Sequence, residues 1–138
     1  MAGTFCNQGL YLPCYFMMGD ATNGKIPATM RLFTNDFSPD ASSTFSSFTE
    51  MSGRSYAPKS LVGTTWSWSG APPVGTYSVP AWSFGAGTPI TIYGYFLTNT
   101  DSGSQNRAII AERWATPFEL GGGATTLTVT LSYTFTFA

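Results

Sequence analysis

The chain has 138 residues, which suits one domain, and only 9% of them are charged while 43% are hydrophobic. Its net charge is −1 and its six basic residues are scattered, which argues against nucleic-acid binding. No apolar run approaches the ~20 residues of a membrane span, so no membrane partner is expected either. Soluble domains usually carry ~25% charged residues. The low value therefore favours a surface that is partly covered by other chains.

The first 28 residues are predicted to form a segment distinct from the main domain at 29–138. Their apolar residues show no clear period, so a first strand, a short helix and an arm that contacts a partner all remain open. No basic n-region precedes them, so we expect folding in a reducing cytoplasm, where Cys6 and Cys14 stay free thiols. The candidate partner-contact residues are Leu10, Tyr11, Leu12, Tyr15, Phe16, Met17 and Met18.

The end of the chain carries the strongest secondary-structure signal. Apolar and hydroxyl residues alternate strictly over 127–137, and this period of two predicts a core strand long enough to bend across two sheets. The stretch 90–98 is apolar on both faces and predicts a central strand. Its expected hairpin partner is 108–114, which Pro117 should end. Further strands are predicted at 29–35, 61–68 and 77–84.

One short helical segment is predicted near residues 42–51. Phe45, Phe48 and Met51 recur there at three-residue spacing, although the many Ser and Thr residues leave an irregular lid as the alternative. The whole pattern predicts an all-β fold, an antiparallel β-sandwich that is either jelly-roll-like or immunoglobulin-like. The spacing of the turns does not distinguish these two topologies.

Catalytic chemistry has little support in the sequence. The absence of histidine excludes Ser-His, Cys-His and His-ligated metal sites. The acidic residues are dispersed, and Glu112 and Glu119 are the nearest approach to a glycosidase pair. We expect Glu112, next to Arg113, to be a structural ion-pair or hydrogen-bond partner. No catalytic, cofactor-binding or metal site is therefore predicted.

The tryptophans are the one residue type with a direct functional interpretation. Trp66, Trp68 and Trp82 could form an aromatic surface on which sugar rings stack. Aromatic residues are also enriched in cores and subunit interfaces, and packing is the interpretation that we favour for all three.

The remaining sequence evidence is a set of short runs: TMRLFTNDFSPD at 29–40, FTE at 48–50, Tyr56, IYGYF at 92–96, AERW at 111–114 and TLTVT at 126–130. Together these runs resemble small structural proteins encoded by tailed bacteriophages. The resemblance implies a virion component without enzymatic activity, assembled in the host cytoplasm; with the low charge it favours a capsid decoration (cement) protein. Its partners would be the major capsid protein or another virion protein, and it would form a homo-oligomer, a dimer or trimer. The alternative is a tail or fibre component with aromatic glycan or receptor contacts.

Overall fold

The protein was analysed as a computed structural model that describes residues 4–5, 29–61, 67–69, 74–100 and 106–134. Strands dominate these ranges, and every pairing between them is antiparallel, which confirms the all-β prediction. No helix within them is long and apolar enough to cross a membrane. The elements are β1 (Thr4–Phe5), β2 (Thr29–Phe33), a 3-10 helix (Phe45–Ser47), β3 (Lys59–Ser60), β4 (Ser67–Ser69), β5 (Val74–Ser78), β6 (Trp82–Phe84), β7 (Ile90–Thr100), β8 (Asn106–Leu120), β9 (Thr125–Leu127) and β10 (Thr130–Thr134).

The largest sheet has five strands in the order β1-β8-β7-β2-β3, with β7 in the middle. Tyr95 of β7 packs into the main hydrophobic cluster, while the next residue, Phe96, packs into a second cluster on the opposite face. Because successive side chains of a strand point to opposite faces, a central strand covered on both sides is expected to carry apolar residues on both faces. The predicted central strand at 90–98 is confirmed.

Strand β8 is longer than the sequence suggested. Pro117 was expected to end it, but the strand continues to Leu120. The proline lies in a large bulge. Between the pairs Ile92–Phe118 and Gly94–Arg113, β7 contributes one residue and β8 contributes four. The missing N–H of proline is tolerated there because those residues leave the regular ladder.

The remaining strands form two small sheets, one with the order β10-β5-β4 and one in which β6 pairs with β9. The N–H of Val79 donates to the carbonyl of Val129 at 3.0 Å and joins the two sheets where both chain segments kink. The prediction of one strand over 77–84 is wrong, because Pro80 lies between β5 and β6 and cannot donate to a ladder. The predicted bend in the C-terminal strand is confirmed, since β9 and β10 belong to different sheets.

The main hydrophobic cluster contains residues of all three sheets. In the C-terminal strands Leu127, Val129 and Leu131 belong to it, whereas Thr128 and Thr130 are exposed. The predicted alternation is therefore confirmed in these described positions, and the hydroxyl face points away from the core. The members are Met30, Leu32, Met51, Leu61, Val79, Trp82, Phe84, Ile92, Tyr95, Leu97, Ile109, Ile110, Leu120, Leu127, Val129 and Leu131.

The second cluster lies under the segment that was predicted to be helical. Only Phe45–Ser47 form a turn of 3-10 helix, and the chain is extended again at Met51, whose N–H donates to the carbonyl of Leu32 at 2.9 Å. The Asn35 side chain accepts from the N–H of Thr49 and donates to the carbonyl of Ser47, which competes with helical hydrogen bonds. The Phe48 ring stacks on Phe96 with centroids 4.5 Å apart. The segment is thus a lid with one helical turn.

A left-handed turn at 53–55 ties distant loops together. Arg54 and Ser55 have φ angles of 52° and 62°, which non-glycine residues adopt rarely. The Arg54 guanidinium donates to the carbonyls of Gly85, Leu120 and Gly123, and the Arg54 carbonyl accepts from the N–H of Gly85. These hydrogen bonds offset the cost of the backbone conformation, about 1 kcal/mol or more per residue.

We expect the two faces of β10 to respond very differently to a charge. Leu131 is 1% exposed, so Leu131→Asp buries an unpaired carboxylate and should lower the free energy of unfolding by more than about 4 kcal/mol. Thr130→Asp places the same group on the exposed face and should cost about 1 kcal/mol or less. Urea denaturation of both variants measures the difference. An equal loss in both would show that the hydroxyl face is also covered.

Candidate ligand cleft

A cleft of about 700 Å³ lies between the bulge of β8 and the kink that joins β9 to β10. Its walls come from β8, β9 and β10, which belong to three different sheets, so it opens at the rim of the main hydrophobic cluster. The lining is mostly apolar, with one carboxyl group and three threonine hydroxyls among the polar groups. The lining residues are Glu112, Arg113, Trp114, Ala115, Thr116, Pro117, Phe118, Leu127, Thr128, Val129 and Thr130.

Beside the bulge, β7 and β8 approach each other very closely. A Cβ atom on Gly94 would lie 2.0 Å from the carbonyl oxygen of Glu112 and 2.9 Å from the Phe33 ring. No other residue fits there without moving the β8 backbone. The extra β8 residues next to this contact are displaced from the ladder, and 114–117 become one wall of the cleft.

Glu112 is the buried carboxyl group of the cleft, 7% exposed. It is the cross-strand partner of Tyr95, whose hydroxyl donates to Oε2 at 2.9 Å. Burial raises the pKa of Glu112 above its usual value near 4.5, and the Tyr95 hydrogen bond opposes this increase only in part. The expected structural role as a hydrogen-bond partner is confirmed.

The partner of Glu112 is not the neighbouring Arg113, because adjacent residues of a strand point to opposite faces. Arg113 forms an ion pair with Asp36 instead, and its guanidinium carbon lies 5.5 Å from the centroid of the Tyr93 ring. Both charges of that pair are therefore engaged on the face of the sheet away from the main cluster.

Trp114 is half-buried and packs against the main hydrophobic cluster while lining the cleft. Its indole Nε1 is buried and has no acceptor. The Nε of Arg113 is the only other buried side-chain nitrogen or oxygen in the described ranges without a partner. Buried hydrogen-bond donors are nearly always paired in folded proteins. Two buried donors without acceptors beside one bulge therefore make this part of the structure unusual.

The dispersed carboxylates do not converge in the described residues. Glu119 accepts a hydrogen bond from the Thr91 hydroxyl at 2.8 Å and does not line the cleft, so it is not brought opposite Glu112. The described ranges contain no group of three or more side chains that could hold a metal ion.

Of the three predicted aromatic-surface residues, the structure describes the side-chain environment of Trp82. Trp82 is 2% exposed and its Nε1 donates to the carbonyl of Ala57 at 2.9 Å, so it packs in the core, which is the interpretation favoured for it, and it does not belong to an exposed aromatic surface. Trp68 is on β4 opposite Gly75. Trp66, the contact residues predicted at 10–18 and the two cysteines lie outside the described residues.

Trp114, which lines the cleft, was missed in the sequence. Its signal is the run AERW, in which alternation places Glu112 and Trp114 on one face of the strand. The bulge that forms the cleft wall beside this face contains Pro117 and lies next to Gly94. Local sequence patterns assign Gly94 to an ordinary strand and Pro117 to the end of a strand.

No family model, curated protein or solved structure matches this chain. Its function has to be inferred from its own residues.

Glu112 should make stability depend on pH. The folded state holds the Glu112 proton more tightly than the unfolded chain does, so the free energy of unfolding should fall as the pH rises from about 4.5 through the raised pKa. Glu112→Gln removes this fall. Urea unfolding midpoints between pH 4 and 8 measure it, with Glu119→Gln as the matched control that keeps the wild-type dependence. The same pH profile in Glu112→Gln and wild type would contradict the assignment.

Proposed function

We propose that this protein is a non-enzymatic structural component of a tailed-bacteriophage virion, and specifically a capsid decoration (cement) protein with a β-sandwich fold of the jelly-roll or immunoglobulin type. Binding across adjacent capsid subunits would stabilise the assembled shell by mass action, since a ligand of the assembled state shifts the equilibrium towards it. The resemblance to phage proteins supports the class, and the distribution of charge supports the role in assembly.

The observation that carries this proposal is that each Asp, Glu, Lys and Arg side chain of the described ranges already has a partner within the chain. A surface with so few free charges loses little ionic hydration when another protein covers it. The engaged groups are Arg31 with Glu50, Arg113 with Asp36, Arg54 with loop carbonyls, Asp40 with Ser42 and Ser43, Lys59 over the Trp82 ring, Glu112 with Tyr95, Glu119 with Thr91, and Arg107.

The Arg31–Glu50 ion pair is an example of two charged side chains whose hydrogen bonds are made within the chain. The two side chains meet at 2.7 Å, and the Tyr56 hydroxyl donates to the second carboxylate oxygen of Glu50 at 3.1 Å. The same hydroxyl accepts from the N–H of Leu32 at 3.0 Å, and burial raises the pKa of Tyr56 well above its usual range. The network joins the lid to β2 and leaves neither charge free for a partner.

A decoration protein would act as a closed homo-oligomer, a dimer or trimer, because symmetry repeats one contact patch towards several capsid subunits. We place part of the shell contact in the apolar residues at 10–18. A test that spares β1 is the triple variant Leu10→Ser, Leu12→Ser, Phe16→Ser, which should fold but fail to bind shells that lack the protein. A triple variant that binds such shells as wild type does would exclude this segment.

Copy number in the virion is the direct test of the cement role. The protein should be present in proportion to the capsid, on the order of hundreds of copies per particle, because each shell position repeats by symmetry. Quantitative gel analysis of purified virions against the major capsid protein measures this ratio. Fewer than about twenty copies would contradict the cement role and support the tail or fibre alternative.

A further inference from the structure

We propose that the cleft between the β8 bulge and the β9–β10 kink binds a short neutral carbohydrate, about two or three sugar units long. This inference goes beyond the cement role and does not depend on it, since the cleft would bind the same ligand at any position in a virion.

The size and the backbone of the cleft favour a small ligand over a protein segment. Its volume of about 700 Å³ lies within the ~300–1,000 Å³ typical of small-molecule sites. An added peptide strand would need a regular row of free N–H and C=O groups. The wall at 114–117 is a bulge, and Pro117 in it has no N–H to offer.

The charges around the cleft favour a neutral ligand. Arg113 and Glu112 are the ionisable residues of its lining, and Arg113 is paired with Asp36 on the other face of the sheet. Glu112 is buried beside Tyr95, and burial favours the uncharged carboxyl group. No uncompensated charge among the lining residues would attract an anion or a cation.

The remaining groups match the two-sided chemistry of a sugar ring. Trp114, Pro117 and Phe118 supply flat or apolar surface for the C–H face of the ring. The hydroxyls of Thr128 and Thr130, on the opposite wall, can both donate and accept hydrogen bonds to sugar hydroxyls.

The buried indole N–H of Trp114 adds a reason for the ligand to carry acceptors. It lacks a partner in the described structure, which is costly for a buried donor. A sugar bound in the cleft that Trp114 lines would bring hydroxyl oxygens, which are hydrogen-bond acceptors. A ligand that supplies this acceptor gains an interaction that the unliganded protein does not make.

Titration of the full-length protein with maltotriose, cellotriose and chitotriose tests the proposal, with affinity from calorimetry and location from backbone amide NMR shifts. We expect at least one trisaccharide to bind and to shift amides of 112–118 and 127–130. Trp114→Ala should weaken its binding at least about tenfold, and Trp114→Phe, which keeps a flat ring, should weaken it less. Circular dichroism and thermal melting establish that each variant is folded.

The hydroxyl contacts have a matched control two residues earlier in the chain. Thr128 lines the cleft, whereas Thr126 is exposed and does not. Thr128→Val should weaken trisaccharide binding, and Thr126→Val should leave it unchanged. The proposal is overturned if none of the three sugars binds at about 10 mM, if the amide shifts fall outside the cleft, or if both threonine variants bind as wild type does. The virion copy number would be unaffected by any of these outcomes.

Discussion

The pairing of β7 with β8 holds both hydrophobic clusters in place. Tyr95 enters one cluster and Phe96 the other, so the strand pair is the partition between them. The pairing depends on the contact at Gly94, where a side chain would overlap the β8 backbone at Glu112. Next to this contact the register of the two strands shifts, and the displaced residues of β8 form one wall of the cleft. The close approach at Gly94 thus lies both at the partition of the core and beside the candidate site.

The sequence predicted the parts of the fold that depend on period alone. Alternation separated Leu131 from Thr130 correctly, and the unbroken apolar run identified β7, because a strand has only two faces. The predictions were wrong where residues distant in the sequence determine the backbone conformation. Pro117 ends a strand in most contexts, but here the bulge accepts it, and Pro80 divided a stretch that was read as continuous. The distant strands that pair around these two prolines cannot be identified from a short window of sequence.

The candidate site was less predictable than the fold. Alternation shows which side chains share a face, but it does not show which faces become covered. Trp82 therefore looked as available as any other tryptophan, whereas the structure buries it under Lys59 and bonds it to Ala57. The role of Trp114 is not apparent from local sequence, because the opposite wall of its cleft is formed by β9 and β10, which follow it only after Leu120. Glu112 was placed correctly as a structural partner, but its acceptor role towards Tyr95 required the strand register.

The Arg54 turn has a consequence for the time course of folding. Its hydrogen bonds reach Gly85, Leu120 and Gly123, which lie 31, 66 and 69 positions further along the chain. Contacts this remote in sequence carry a large loop-closure cost until the sheets between them are in place. We therefore expect the guanidinium to engage its carbonyls late in folding, after the folding barrier has been crossed. Such late contacts contribute little to the folding rate and act mainly by slowing the opening of the native state.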